Sequence, residues 1–290
     1  MKLPPGPYES PRISPDGTHV AFGSDDGKDA SVWVYDLSGK TSMRRLTLSG
    51  ANRFPIWSAD SQRVAFQSDR EGDRGIFWQR ADGTGAAERL TKAEQGTSHV
   101  PDSWSPSGET LLFEMRKDSS GSLFALSLRD QKIEPFGRIE SSQSIDAVFS
   151  PDGRWVAYDS TETGGSNVYV EPFPRTGARY PITKDQGRNP FWSPDGQELF
   201  YTPRPAQLFV MTISAQPTFT FGNPVPATRG GLYAPNPAAR RNWDMAPAGQ
   251  RILGVLDAAV GTSSGSSDAQ TIQVVINWFE ELKARVGDSR

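Results

Sequence analysis

The fold of this chain is decided by one stretch of nine residues, Ser150-Pro151-Asp152-Gly153-Arg154-Trp155-Val156-Ala157-Tyr158. Its first four residues favour a tight turn, because proline presets φ, aspartate can bond the backbone and glycine accepts a positive φ. The apolar and aromatic residues that follow are typical of a β-strand. The stretch therefore predicts a turn that leads into a strand.

Five further copies of this stretch occur along the chain. They begin at Ser14, Ser58, Ser105, Ser193 and, in a degenerate form, Ala246. Successive copies are 43 to 53 residues apart, a period typical of blade-repeat proteins. The second repeat contains four strand-sized segments, at 54–57, 63–67, 75–79 and 88–91. Four antiparallel strands per repeat predict one blade of a β-propeller.

We expect an all-β chain that forms a six-bladed β-propeller of four-stranded antiparallel blades, in a single domain over residues 1–290. The repeats are placed near 8–50, 51–96, 97–140, 141–186, 187–230 and 231–277. A short C-terminal helix is expected at 277–286, with Asn277 as its cap. The alternative, six repeats of a seven-bladed ring, stays open.

A large aromatic side chain stands directly before four of the repeat serines. These residues are Trp57, Trp104, Phe149 and Trp192. A four-stranded sheet cannot bury both of its faces alone, so we expect these rings to pack between neighbouring blades.

The composition excludes several classes of partner and site. The 290 residues include 31 basic and 34 acidic side chains, interspersed, with a net charge of −3. This balance argues against nucleic acid or an anionic membrane surface as a partner. The lack of cysteine excludes disulfides and thiolate metal sites. No run approaches the roughly 18 apolar residues of a membrane span, so we expect no membrane insertion.

Patterns that carry catalysis or metal binding are weak in this sequence. Residues 261–265 match the Gly-x-Ser-x-Gly nucleophile motif, but no histidine follows them, since the chain has only His19 and His99. Two histidines without cysteine argue against a zinc site. The acidic hairpins at 25–29 and 69–73 lack the spacing of a calcium loop. We therefore assign no catalytic residue, no metal and no cofactor.

The best candidates for function are polar residues that lead into the innermost strand of each repeat. In a propeller these segments converge on the mouth of the central channel. The candidates are Glu9, Asn52, Arg53, His99, Asp146, Arg188, Asn189, Arg241 and Asn242. A ring of both charge signs could bind a peptide segment or a small polar ligand. The alternative is that these side chains bond to neighbouring blades or to channel water.

Several phrases of the sequence resemble a known family. They are WSPDGQELFY at 192–201, FSPDGRWVAY at 149–158, NVYVEPFP at 167–174, RRLT at 44–47 and VVINWFEELK at 274–283. They resemble the TolB-like, WD-repeat-like propellers, most closely those at the C-terminal end of bacterial serine/threonine protein kinases. The resemblance implies a propeller and an extracytoplasmic (periplasmic) location. It implies no kinase chemistry here, because the phosphate loop and the His-Arg-Asp loop are absent.

Three functional hypotheses follow. The first is a non-enzymatic propeller that binds a protein or peptide as a sensor or scaffold module, including the sensory part of a kinase-type protein. The second is a lyase or hydrolase acting on a polar polymer at the mouth, for which His99, Asp146 and Arg188 form the available set. The third is a TolB-type periplasmic envelope component.

Overall fold

Every regular element in the described part of the chain is a β-strand. The computed structural model describes residues 6–204, 207–215, 218–227, 240–249, 251–257 and 270–276. Within these ranges the strands form six antiparallel sheets, and most of them contain four strands. The predictions of an all-β chain and of four-stranded antiparallel sheets are thereby confirmed. The helix expected at 277–286 lies outside the described residues.

The strands of each sheet follow one another in sequence order. Sheet 1 contains β1 (Tyr8–Ile13), β2 (His19–Asp25), β3 (Ala30–Asp36) and β4 (Arg44–Arg45). Sheet 2 contains β5 (Asn52–Trp57), β6 (Arg63–Ser68), β7 (Gly75–Arg80) and β8 (Glu88–Arg89). Sheet 3 contains β9 (Thr97–Trp104), β10 (Thr110–Lys117), β11 (Ser120–Ser127) and β12 (Ile133–Ser141).

The second half of the chain repeats this order with shorter outer strands. Sheet 4 contains β13 (Val148–Phe149), β14 (Trp155–Ser160), β15 (Asn167–Pro172) and β16 (Tyr180–Pro181). Sheet 5 contains β17 (Arg188–Trp192), β18 (Glu198–Thr202), β19 (Phe209–Ser214) and β20 (Thr220–Phe221), and β21 (Val225–Pro226) also pairs with β19. The described strands of sheet 6 are β22 (Trp243–Met245), β23 (Arg251–Asp257) and β24 (Gln270–Ile276).

The repeat serine builds the turn between the first and second strands of a sheet. Ser150 Oγ donates a hydrogen bond to Asp152 Oδ1 at 2.6 Å and accepts one from the Trp155 backbone N–H at 3.0 Å. Gly153 completes the turn with a φ of +71°, a conformation that costs glycine little. The same serine and aspartate bonds form at three further copies, at Ser14, Ser58 and Ser193.

A threonine fastens the outermost strand to the third strand in three of the sheets. Thr183 Oγ1 accepts a hydrogen bond from the Val168 backbone N–H at 2.9 Å, and both residues are buried. Thr47 and Thr91 make the equivalent bond in sheets 1 and 2. The threonine of the Arg-Leu-Thr phrase, and of Pro181-Ile182-Thr183 in sheet 4, thus supplies an acceptor where the short outer strand ends.

The hydrophobic core is divided into clusters, each between two neighbouring sheets. Trp57, Trp104, Phe149 and Trp192 each belong to one of these clusters. Each ring is at most 8% exposed, and burying a large apolar side chain contributes about 2 to 3 kcal/mol. The expected packing of these aromatic residues between sheets is therefore present.

Sheet 1 also contacts sheet 6, although the two lie at opposite ends of the described chain. Phe22 of β2 and Leu253 of β23 belong to the same apolar cluster. The Ser10 backbone N–H donates to Asn242 Oδ1 at 2.7 Å, and the Ile13 backbone N–H donates to Asp244 Oδ2 at 2.8 Å. We call this contact between sheets 1 and 6 the seam.

Candidate functional site

The innermost strands are interrupted at one repeated position, four residues before the repeat serine. Ser10, Phe54, Asp146 and Asn189 all adopt positive φ there, between 45° and 56°. In sheet 3 this position is Pro101, and the residue left out of the pairing with β10 is its neighbour Asp102. Positive φ costs a non-glycine residue about 1 to 2 kcal/mol. Such bulges re-aim side chains and are common beside binding sites.

A cavity of about 1600 Å³ opens at the end of the sheets where these interruptions lie. Its described wall comes from sheets 1, 2, 3, 4 and 6, and it is rich in charge. The charged lining residues are Glu9, Asp25, Asp26, Asp73, Glu94, Asp118, Arg53, Arg74, Arg116 and Arg240. We call this space the mouth cavity.

Three of the nine candidates from the sequence line the mouth cavity, namely Glu9, Arg53 and Asn242. Arg53 is held by Asp25, with 2.7 Å between the guanidinium nitrogen and a carboxylate oxygen. Glu9 is partly buried, and burial raises the pKa of its carboxyl, with Asp25 acting in the same direction. Asn242 accepts the seam bond from Ser10. Their role in binding stays a prediction.

The other six candidates are engaged inside the protein. Asn52 is buried, donates to the Gly50 carbonyl at 2.6 Å and accepts from Arg70 at 2.8 Å, so it braces a loop. Asn189 donates to Asp146 at 2.8 Å and thereby joins sheets 4 and 5. The remaining members of this group are His99, Arg188 and Arg241.

The structure does not bring His99, Asp146 and Arg188 into mutual contact. His99 is 2% exposed, and its Nδ1 lies 2.9 Å from Thr91 Oγ1. Burial lowers the pKa of His99 to about 4, so the ring is neutral at physiological pH. Arg188 lies 3.9 Å from Asp159. The three side chains required by the enzyme hypothesis therefore have separate partners.

A buried charge network fills the channel below the mouth cavity. Arg240 reaches from the segment before β22 to Asp102 at 2.5 Å and also forms an ion pair with Glu114. It lies 3.5 Å from Asp146. The Asp102 and Glu114 side chains are 0% exposed. Burial raises the pKa of Asp102, while Arg240 acts in the opposite direction.

A further buried acid of this charge network, Asp159, lies beyond the reach of Arg240. Asp159 is buried, and burial together with Asp146 raises its pKa well above the ordinary value. A second cavity of about 10 Å³, enough for one water molecule, lies in the channel. Arg240, Phe54 and Ser10 border both this space and the mouth cavity. Arg240 therefore separates the two.

The sequence reasoning missed Arg240, Asp102 and Glu114. A signal for Glu114 exists, because a carboxylate follows the apolar run Leu111-Leu112-Phe113 within one strand, and a buried acid is rare unless it is paired. Arg240 stands six residues before the degenerate repeat at Ala246, the same offset as His99 before Ser105. Its partners lie 126 and 138 residues away, and no local pattern identifies them.

Within the described ranges, no group of three or more His, Asp or Glu side chains is placed to hold a metal ion. No helix in that same part of the chain is long and apolar enough to cross a membrane.

Comparison with known proteins links the chain to propellers at low identity. No protein-family model matches it. An uncharacterized peptidase, YuxL, of Bacillus subtilis is 24% identical over 208 residues, or 55% of this chain and 31% of the relative. The Tol-Pal system protein TolB of Francisella tularensis is 26% identical over 166 residues, 55% of this chain and 37% of the relative. The chain thus spans about a third of the length of these relatives.

Solved structures resemble the chain over nearly its whole length. TolB from Acinetobacter baumannii aligns with a TM-score of 0.65 at 16% identity, over 93% of this chain and 61% of that one. A putative TolB from Agrobacterium tumefaciens has a TM-score of 0.60 at 18% identity, over 92% and 90%. An oligogalacturonate lyase in complex with manganese has a TM-score of 0.59 at 13% identity, over 92% and 73%. The chain therefore has a TolB-like β-propeller fold.

Proposed function

We propose that this chain is a non-enzymatic propeller that binds a protein or peptide at the mouth cavity, as a sensor or scaffold module. The observation that carries the proposal is the size and chemistry of that cavity, about 1600 Å³ with charged side chains of both signs. Ligand sites are concave and carry a few converging polar groups. Exposed residues such as Glu94 and Gln95 at the rim remain accessible to a partner.

We also propose that the six sheets form one closed, six-bladed domain over residues 1–290. The seam supports this arrangement, because sheet 1 bonds directly to sheet 6 through Ser10 and Asn242. A seventh blade between them would separate these groups. Closure matters for binding, since the mouth cavity includes both Glu9 of sheet 1 and Arg240 beside sheet 6.

The similarity to TolB proteins supports a more specific version of this role. We propose an extracytoplasmic protein that binds another protein of the bacterial envelope, by analogy with relatives named as Tol-Pal system proteins. The sensory part of a kinase-type protein is the alternative setting for the same binding module. Its support is the resemblance of repeat phrases such as 192–201 to kinase-linked propellers.

Site-specific cross-linking tests the mouth cavity as the binding site. A photoreactive p-benzoylphenylalanine at Gln95, on the rim, should cross-link a partner in cells that make this protein. The matched control is the same group at Glu109, an exposed residue in the turn between β9 and β10 at the opposite end of sheet 3. Cross-links from Glu109 alone, or none from Gln95, would reject the mouth cavity as the site.

A lyase or hydrolase acting on a polar polymer is the second candidate function. The observation in its favour is the structural similarity to an oligogalacturonate lyase with manganese. The separate contacts of His99 and Asp146 oppose it. Polygalacturonate cleavage that requires Mn²⁺ and is lost in His99→Ala would establish the enzyme. Unchanged melting temperature with Mn²⁺ and no cleavage would remove it.

A further inference from the structure

The ion pairs within the mouth cavity leave it acidic. Three of its four guanidinium groups are neutralised inside the protein: Arg53 by Asp25, Arg116 by Glu114, and Arg240 by Asp102 and Glu114. Among the described lining residues this leaves Arg74 as the guanidinium outside any ion pair. The lining carboxylates outside any ion pair are Glu9, Asp26, Glu94 and Asp118. The mouth cavity therefore offers more uncompensated negative than positive charge to a ligand.

The buried polar atoms that lack partners at the mouth cavity are acceptors. Glu9 Oε1 and Gln143 Oε1 have no access to solvent and no donor within the described structure. An acceptor that is buried without a donor costs about 1 to 3 kcal/mol, so either side chain gains by turning towards a ligand that supplies an N–H group. This observation is independent of the charge balance and indicates the same ligand chemistry.

At the inner end of the mouth cavity, a guanidinium group of the protein itself is already bound by acidic side chains. Arg240 is enclosed by Asp102 and Glu114, and its guanidinium carbon lies 5.4 Å from the centre of the Phe54 ring. A cation over an aromatic face within about 6 Å is attracted by the ring quadrupole. Asp102 borders the second cavity and not the mouth cavity, so the carboxylates of this network serve Arg240 and are not open to a ligand in the mouth.

We infer that the mouth cavity recognises a basic segment of its partner, whose arginine or lysine side chain is bound by Glu9 and by the acidic rim of Glu94 and Asp118. The inference rests on the proposed binding function and specifies the chemistry of the ligand. The acidic lining disfavours phosphate-bearing and acidic ligands, because like charges repel. A guanidinium or ammonium group meets the carboxylates of Glu9, Glu94 and Asp118 instead.

Binding of short peptides tests the inference. The probes are three capped hexapeptides, in which glycine alternates with arginine, with glutamine or with glutamate, and free spermidine. Each probe is titrated into the whole protein by isothermal calorimetry. We expect the arginine peptide to bind at least tenfold more tightly than the glutamine peptide. The glutamate peptide should not bind, and raising the salt concentration should weaken the arginine peptide. Spermidine binding as tight as that of the arginine peptide would overturn the assignment of the ligand as a protein segment.

Substitutions locate the binding. Glu9→Gln, and separately the pair Glu94→Gln with Asp118→Asn, should each weaken the arginine peptide about tenfold. The matched control is Glu109→Gln with Asp130→Asn, which removes the same charge from turns at the opposite end of sheet 3 and should leave binding unchanged. Equal losses in the control and the mouth variants would show general electrostatic attraction and overturn the inference. Melting temperatures of all variants verify that each is folded.

The two proposals fail separately. If the group at Gln95 cross-links a partner but the arginine peptide does not bind, the mouth cavity is a binding site and its preference for basic segments is wrong. If neither occurs, the binding function is wrong as well.

Discussion

At the residue scale, Ser61 occupies a turn position where the five other repeats carry glycine. Its φ is +60°, whereas the equivalent glycines have φ between 70° and 73°; they are Gly17, Gly108, Gly153, Gly196 and Gly249. Its hydroxyl accepts a bond from the Asp16 N–H, but that bond is exposed. We expect Ser61→Gly to stabilise the protein by about 0.5 to 1 kcal/mol, because glycine adopts this conformation without steric cost.

Urea unfolding measures this difference. The reverse change, Gly17→Ser, places a side chain at φ +73° in a turn of the same type and should destabilise the protein by about 1 kcal/mol. A Ser61→Gly variant that is less stable than the parent would show that the hydroxyl bond outweighs the backbone strain.

His99 gives a second prediction at this scale, in the pH dependence of stability. Its pKa is about 4 when folded and about 6.5 when unfolded, so between these values the unfolded chain binds a proton that the folded chain does not. The contribution of His99 to the free energy of unfolding is therefore fully present above pH 6.5 and is lost as the pH falls towards 4. Urea unfolding from pH 7 to 4 should show the parent losing up to about 3 kcal/mol more than His99→Gln.

The contribution of other titrating groups cancels in this comparison. Asp73, whose negative charge acts on His99, is present in both proteins. Parallel pH profiles for parent and variant would mean that His99 is protonated in the folded state at the same pH as in the unfolded chain.

At the element scale, the threonine that fastens an outermost strand should stabilise the protein by the free energy of about one hydrogen bond. Thr183→Val keeps the volume but leaves the Val168 N–H without its acceptor, which costs about 1 to 3 kcal/mol in a buried site. Thr212→Val, at an exposed position of β19, is the control and should change stability by less than about 0.5 kcal/mol. Thermal unfolding of both variants distinguishes this bond from the general effect of removing a hydroxyl.

The elements also show what the sequence could and could not predict. The turn at Ser150 and the strand after it were predictable, because turn chemistry and apolar content are local properties of a few residues. The lining of the channel was predictable only in part: Asp146 and Arg241 were among the candidates, whereas Asp102 and Arg240 were not. His99 was predicted at the mouth because it leads into an innermost strand, but position along the chain does not tell which way a side chain points, and His99 is buried.

At the scale of the whole molecule, Arg240 connects sheets across the channel. Removal of this guanidinium in Arg240→Ala leaves Asp102 and Glu114 buried without its charge, and breaking a buried pair in this way costs about 3 to 5 kcal/mol. Without Arg240 the pKa of Asp102, which burial already raises, rises further, so the folded state binds a proton that the unfolded state has lost. The stability deficit should therefore shrink as the pH falls from 7 to 5.

A matched variant separates charge from packing in this prediction. Arg240→Ala combined with Asp102→Asn and Glu114→Gln should recover part of the loss at pH 7, because the two fully buried carboxylates that Arg240 neutralised are gone, while Asp146 keeps the hydrogen bond from Asn189. If the triple variant is no more stable than Arg240→Ala, the loss comes from packing against Phe54 and not from charge.

The two ends of each inner strand have different roles. The serine turn at one end determines the fold, and the interrupted end, at residues such as Arg53 and Phe54, forms the mouth cavity. Exposed mouth residues can therefore change during evolution while the serines stay the same. A lineage of such propellers can acquire a new ligand one blade at a time, and a library randomised at the rim should yield folded proteins with altered specificity.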